Sequence, residues 1–320
     1  MEHHVPSNQR ERQAPPSQLK SGAPPTFGAL IAHIEVLVPL QWAEQGDSVG
    51  RVCGDLEMPI TGLLFALDLT ESAINHAAEA EANCIFVHHP PLYRLANGEE
   101  DIPMQAMVDA CAARGIAVYC AHTNLDSGAV VGTVPALAQA LGAEVGAPLL
   151  PIDFELGASP LPSDSTLPPL GLGFMARFPQ GIAVSEFLAK CRALSDCVLL
   201  YPTPEAPRHN KAVWPDKPRH NEVVWLKEPL RTIALWPGAG LDIPAMRRAI
   251  AMGAQALVTG EVKLNIWREA AILALPLLTL GHYESEWPGL ESLRAALHLE
   301  QFGVYYSVVH VDFPYHALPQ

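Results

Sequence analysis

The feature that most constrains this chain is an alternation of short apolar runs with longer segments of helical periodicity. It begins at residues 62–69 (GLLFALDL), and an Ala-rich segment follows at 71–82 with Thr70 placed to cap it. The pattern recurs as a strand at 83–87, a helix at 103–114, a strand at 116–120 and a helix at 133–141, with Pro103 suited to a first helical turn. A strand with no polar face must be covered on both sides, and parallel neighbours need a crossover of a dozen or more residues. The alternation therefore predicts an α/β fold with largely parallel or mixed sheets.

At 320 residues the chain exceeds the ~100–200 typical of one domain, so two α/β domains are expected. Residues 1–25 are rich in Pro, Gln and Ser without apolar periodicity and read as a flexible tail. Residues 148–169 (PLLPIDFELGASPLPSDSTLPP) read as a linker or extended loop. The alternation then resumes with strands at 172–178, 197–201, 231–236, 255–258 and 276–280 and helices at 184–194, 243–252 and 264–273. A helix at 289–299 and a strand at 304–309 close it. Between 207 and 228, PRHNKAVWPDK is followed by PRHNEVVWLKE, a tandem duplication expected to lengthen a surface loop. His209 and His220 are explained by that duplication, and His3 and His4 by the tail.

Charge narrows the function. Twenty Lys plus Arg against 34 Asp plus Glu give a net charge of -14, which repels phosphate backbones, so a nucleic-acid partner is not expected. Six cysteines form no C-x-x-C pair, the apolar runs fall short of the ~18 residues of a spanning helix, and no signal peptide opens the chain. A cytoplasmic protein with no membrane association is the expectation.

In open α/β sheets ligands bind beyond the carboxyl ends of the strands, and three such places carry metal-ligand chemistry. NCIFVHHPP puts His88 and His89 after one strand. YCAHTNLD puts His122 and Asp126 after the next, and LTLGHYESE puts His282, Glu284 and Glu286 after a late one. Divalent ions such as zinc, manganese and iron accept imidazole mixed with carboxylate. Adjacent side chains on extended backbone point to opposite sides, so His88 and His89 suit two ions better than one. A carboxylate from the turn at Glu286 can bridge ions ~3.5–4 Å apart. Pro90 and Pro91 fix the extended exit of the first segment.

From about Phe27 onward, GLLFALDLTESAINHAAEAEANCIFVHHPPLY, AHTNLDSG, ALVTGEVK and GHYESEWPGLESL resemble, in order, the motifs of the NIF-three-like proteins, the GTP cyclohydrolase type-two homologues. The resemblance implies a dinuclear metal centre with His89 and Asp126 on one ion, His88 and His282 on the other, and Glu286 bridging. It implies an additional active-site role for His122, in support of the ligands or in acid–base chemistry, and a toroidal homohexamer. It also implies a NIF-three-like fold in which the terminal segments form one domain and the middle segment the other: a tail at 1–26, a metal-site domain at 27–147 plus 255–320, and an inserted domain at 148–254.

The chain departs from the family pattern at EQGDSVG (44–50), where a Trp-Asp-Asn-x-Gly segment is usual, and at Asn265, where a further His is common. The leading expectation is a metal-dependent hydrolase of a small-molecule substrate, of nucleotide, phosphoester or amide type, with His122 or Glu284 moving protons. The alternative is a non-catalytic metal-binding assembly or regulatory protein forming a homo-oligomeric ring. WPGAG (236–240) reads as a tight turn or an anion cradle, Glu261 as a residue near the metals or a helix-start carboxylate, and Cys84 and Cys120 as packing residues.

Overall fold

The computed structural model describes residues 23–91, 102–152, 170–201, 228–304 and 306–310, so the duplicated PRHN segment and most of the N-terminal tail lie outside the described residues. In chain order the elements are α1 (Phe27–Leu37), β1 (Gly50–Cys53), β2 (Leu63–Ala66), α2 (Glu71–Glu79), β3 (Cys84–Val87), α3 (Ile102–Ala113), β4 (Ala117–Cys120), α4 (Thr123–Asp126), α5 (Thr133–Leu141) and β5 (Glu144–Pro151). There follow β6 (Gly171–Ile182), α6 (Val184–Leu194), β7 (Leu199–Tyr201), β8 (Leu230–Trp236), α7 (Ile243–Ala251), β9 (Leu257–Thr259), α8 (Leu264–Leu273), β10 (Leu277–Thr279), α9 (His282–Ala296), α10 (Leu299–Phe302) and β11 (Ser307–His310).

Two mixed sheets result. The first has the order β1-β4-β3-β2-β11, with β4, β3, β2 and β11 parallel and β1 antiparallel at the edge. The second has the order β5-β6-β8-β9-β10-β7, with β8, β9 and β10 parallel at its centre. The wholly apolar strands are buried on both faces. Leu63, Phe65, Cys84 and Phe86 pack under α1 and α9, while Leu64, Ala66, Ile85 and Val87 pack under α2 and α3. The second sheet repeats this: Phe174, Ile233, Leu235 and Val258 face α5 and α6, and Met175, Ala234, Trp236 and Leu257 face α7 and α8. Each buried large apolar side chain contributes roughly 1.5–3 kcal/mol before entropy is charged against it.

Local chemistry sets the element boundaries. Thr70 caps α2 as expected, its hydroxyl accepting from Ala73 N at 3.0 Å, and Asp242 caps α7 in the same way. Gly142 closes α5 in the left-handed conformation that glycine adopts without strain.

Three sequence expectations change. Residues 148–151, read as the start of a linker, belong to β5; Pro148 and Pro151 are tolerated there because β5 is an edge strand. The last long helix starts at His282 rather than 289. Pro288 lies inside α9, where its missing N–H removes one intrahelical bond without ending the helix. Strands β9 and β10, grouped by sequence with the metal-site segment, are hydrogen-bonded into the second sheet. Each follows a helical crossover from its neighbour, which returns the chain to the same sheet. Among the described residues, no helix is long and apolar enough to cross a membrane.

Candidate metal centre

The first imidazoles leave at the carboxyl end of β3. The N–H groups of His88 and His89 both donate to Leu67 O, at 3.1 and 2.8 Å, which pins the chain as it exits the sheet. Their rings then diverge, with centroids 5.1 Å apart. His88 is wholly buried and donates from Nδ1 to Ala121 O at 2.9 Å, whereas His89 donates from Nδ1 to Asp68 Oδ1 at 3.0 Å. Beyond β4, His122 and Asp126 flank the single turn of α4. From the other sheet, β10 leads into α9, whose first turn carries His282 and Glu286 one above the other.

Glu286 stands at the centre and is 4% exposed. Its Oε2 is 3.0 Å from His89 Nε2 and 3.2 Å from His282 Nε2, and its Oε1 is 3.8 Å from His88 Nε2. His88 Nε2 is also 3.6 Å from Asp126 Oδ1. Asp126 Oδ1 in turn accepts from the Thr133 hydroxyl at 2.6 Å. The structure thus brings His88, His89, Asp126, His282 and Glu286 around one point. Within the cluster His88 lies against Asp126, and His89 and His282 share Glu286 Oε2. The cause is the divergence of the adjacent imidazoles: His88 turns toward α4 and His89 toward α9.

The spacing at His88 decides what the cluster can hold. His88 Nε2 is buried and makes no hydrogen bond, which is costly for a polar atom. Two donors each about 2.1 Å from a common ion at a tetrahedral angle lie ~3.4 Å apart. Separations of 3.6 and 3.8 Å are long for hydrogen bonds but suit ligands around a cation. The donor set, imidazole nitrogen with carboxylate oxygen, fits zinc, manganese or iron.

Electrostatics couples the members. Burial alone would raise the Glu286 carboxyl, but the surrounding His88, His282 and His89 hold it well below the usual range. Burial would lower the imidazoles, yet all three are raised: His89 is pushed up to about 10 by Asp68 and Glu286, His88 is raised by Asp126 and Glu286, and His282 by Glu286 and Glu261. Asp126 is raised, first by burial and then by Glu286.

A surrounding layer holds this set, in which Asp68 and Asp47 were not legible in the sequence whereas Glu261 and WPGAG were. Asp68, on the turn after β2, orients His89. Asp47, within EQGDSVG, accepts from His122 Nδ1 at 3.1 Å and from Thr123 N at 3.1 Å. Burial opposes its ionisation, but these bonds hold the Asp47 carboxyl at about 2. Glu261 accepts from His282 Nδ1 at 3.1 Å, which places it behind a ligand candidate. WPGAG is a tight turn: Gly238 N donates to Ser285 Oγ at 2.9 Å, and at its positive φ of 67° a Cβ would run into Glu286 Oε1.

Glu284 is buried, but two residues along a helix is a rotation of about 200°, so it leaves α9 on the side away from His282 and Glu286. Asn265 lines a cavity of about 570 Å³ beside Glu261, together with Leu241, Ile243, Lys263 and Ile266. Cys84 and Cys120 pack inside the first sheet, and all six cysteines are free.

The family described as Duf34/NIF3 (NGG1p interacting factor 3) matches residues 25–313. A GTP cyclohydrolase 1 type 2 homolog of Clostridium perfringens (strain 13 / Type A) is 28% identical over 263 residues, covering 82% of this chain and 87% of that protein. The protein of the same description from Bacillus subtilis (strain 168) is 40% identical over 98 residues, and that alignment spans 30% of this chain and only 26% of the relative. Among solved structures, a Bacillus cereus protein related to NIF3 superposes with a TM-score of 0.70 at 18% identity, covering 93% of this chain and 99% of that one, a likeness of fold.

Proposed function

The chain belongs to the Duf34/NIF3 family, and on that premise we propose that it is a dinuclear metal-dependent hydrolase of a small molecule. The observation that carries this reading is the buried, unpartnered His88 Nε2, set 3.6 Å from Asp126 and 3.8 Å from Glu286. His88, His89, Asp126, His282 and Glu286 would together hold the divalent cations, with the Glu286 carboxylate between the imidazoles. When bound, two such cations supply Lewis acidity and a nucleophile drawn from water at neutral pH.

The remaining work falls to the chain. Asp68, Glu261 and the Ala121 carbonyl fix the imidazoles so that Nε2 of each faces inward. Gly238, lacking a Cβ, leaves room for Glu286 Oε1 against the β8–α7 turn. The adjoining cavity offers an apolar wall of Leu241, Ile243 and Ile266 with Lys263 and Asn265 at hand, a lining suited to the non-reacting part of a small substrate. A cytoplasmic homohexamer is the assembly in which we place this site.

The test is metal analysis of untagged protein after reconstitution with Mn²⁺, Zn²⁺ or Fe²⁺, beside a His88→Ala/Glu286→Ala double variant, followed by a hydrolase substrate screen. Two equivalents in the unmodified protein, lost in the variant, with turnover in one substrate class, is the expected result. Fewer than one equivalent would sink the dinuclear reading. Full occupancy without turnover would move the protein to a metal-holding assembly role.

A further inference from the structure

Helix α5 meets the cluster through its first residue. Thr133 is wholly buried and donates its hydroxyl to Asp126 Oδ1 at 2.6 Å. That oxygen is the one standing 3.6 Å from the unpartnered His88 Nε2. A carboxylate turns broadly about its last side-chain bond, and a hydrogen bond from a second residue is what commonly fixes the facing of a metal ligand.

Two glycines set where that hydroxyl stands. Gly132, at a positive φ of 147°, packs so closely on α4 that a Cβ there would run into Leu125 O, which brings the start of α5 back onto α4. On the other side, Gly289 of α9 lies against the backbone of Thr133: a Cβ there would come within 2.8 Å of Thr133 Cα and 3.0 Å of its N. Gly289 is three residues beyond Glu286, so the two are neighbours on one face of α9. The rest of α5 is anchored elsewhere, with Val134, Leu137, Ala138 and Leu141 in the core of the second sheet.

We infer, on the premise of the dinuclear reading, that Thr133 is the positioning residue of Asp126 and that Gly289 is the contact through which α9 sets it. One helix then fixes both carboxylates of the centre, Glu286 directly and Asp126 through Gly289 and Thr133. The spacing of those carboxylates is thereby set by the packing of α9 on α5 and not by the short turn of α4 alone. The relation holds however the five ligands are shared between the ions.

Chelator competition and the visible spectrum of the Co²⁺-loaded full-length protein test this. Thr133→Val keeps the shape and removes the donor; it should weaken the ion held by Asp126 about 10–100-fold and alter the Co²⁺ spectrum. Thr133→Ser, which restores the hydroxyl, should return both to wild-type values. Gly289→Ala, a change that raises stability in an open helix, should here weaken the same ion. The Gly289→Ala/Thr133→Val double variant should bind as Thr133→Val alone, because both changes act through one bond. Wild-type affinity and spectrum in Thr133→Val would overturn the positioning role whatever happens to its thermal midpoint, and so would a loss that Thr133→Ser does not rescue. Wild-type affinity in Gly289→Ala, or additive losses in the double variant, would overturn the route through α9. A wild-type protein that takes up no Co²⁺ would remove the metal reading and this inference together.

Discussion

The two ends of the cluster differ in a way that separates a site prepared for a cation from one that closes on itself. At the His88 end, Nε2 is buried and stands 3.6 and 3.8 Å from its carboxylates, too far to bond them. At the other end, the His89 and His282 side chains, 19% and 26% exposed, reach Glu286 Oε2 directly through Nε2 at 3.0 and 3.2 Å. The first end keeps donors apart by burying them among fixed backbone, since Ala121 O and the strand exit hold His88 in place. The second end rests on side chains, Asp68 and Glu261, and can pair with protons when no cation is present. Preorganisation and proton competition are thus divided between the two ends of one carboxylate.

The largest effect should come from removing what they share. Glu286→Gln leaves three inward imidazoles facing a neutral amide, so both ends should fail: less than one equivalent of metal by elemental analysis, and roughly 3 kcal/mol of stability lost in urea unfolding of the metal-free protein. If only one equivalent disappears, the ends do not meet at Glu286. Gly238→Ala comes next. Its Cβ runs into Glu286 Oε1, the oxygen facing His88, and its φ is unfavourable for alanine, so about 1–3 kcal/mol should be lost, with weaker metal binding at the His88 end first. Equal weakening at both ends would mean that Glu286 moves as a rigid block.

pH sharpens the contrast at the other end. In metal-free protein, protonated His89, raised to about 10 by Asp68 and Glu286, and His282, raised by Glu286 and Glu261, stabilise the fold through these pairings. That contribution is complete below the unfolded histidine value of about 6.5 and is lost as pH rises through the folded value. Thermal midpoints in chelator should therefore fall between pH 7 and 10, while metal affinity rises as fewer protons are displaced. A flat midpoint profile would contradict the pairing. The smallest effect is expected for Glu261→Ala: Glu261 is 62% exposed, so stability should change by no more than about 0.5 kcal/mol, with about a tenfold loss of affinity confined to the His282 end.

What was legible in sequence follows from what short-range pattern can encode. The apolar strands with a polar residue just past each end marked His88, His89, His122 and Asp126 at the carboxyl edge of the first sheet and His282 at that of the second, because parallel strands carry their ends to one edge of a sheet. Asp47 and Asp68 escaped notice because each is a single carboxylate on a turn, and only the three-dimensional approach of that turn to an imidazole gives it meaning. Gly238 was visible as part of a tight turn, but its closeness to Glu286 depends on how β8 and α9 pack. The early start of α9 was hidden by Pro288, whose usual meaning as a helix break does not hold when only one bond is forfeited.

Helix α9 leaves β10 of the second sheet and packs Leu290, Leu293 and Leu297 into the core of the first, so Glu286 reaches residues nearly two hundred positions earlier in the chain. Contacts of such long range require the intervening elements to be in place before the loop-closure entropy is recovered. The cluster should therefore assemble after both sheets have formed. Anything that tightens it then retards the opening of the finished molecule far more than it hastens its formation.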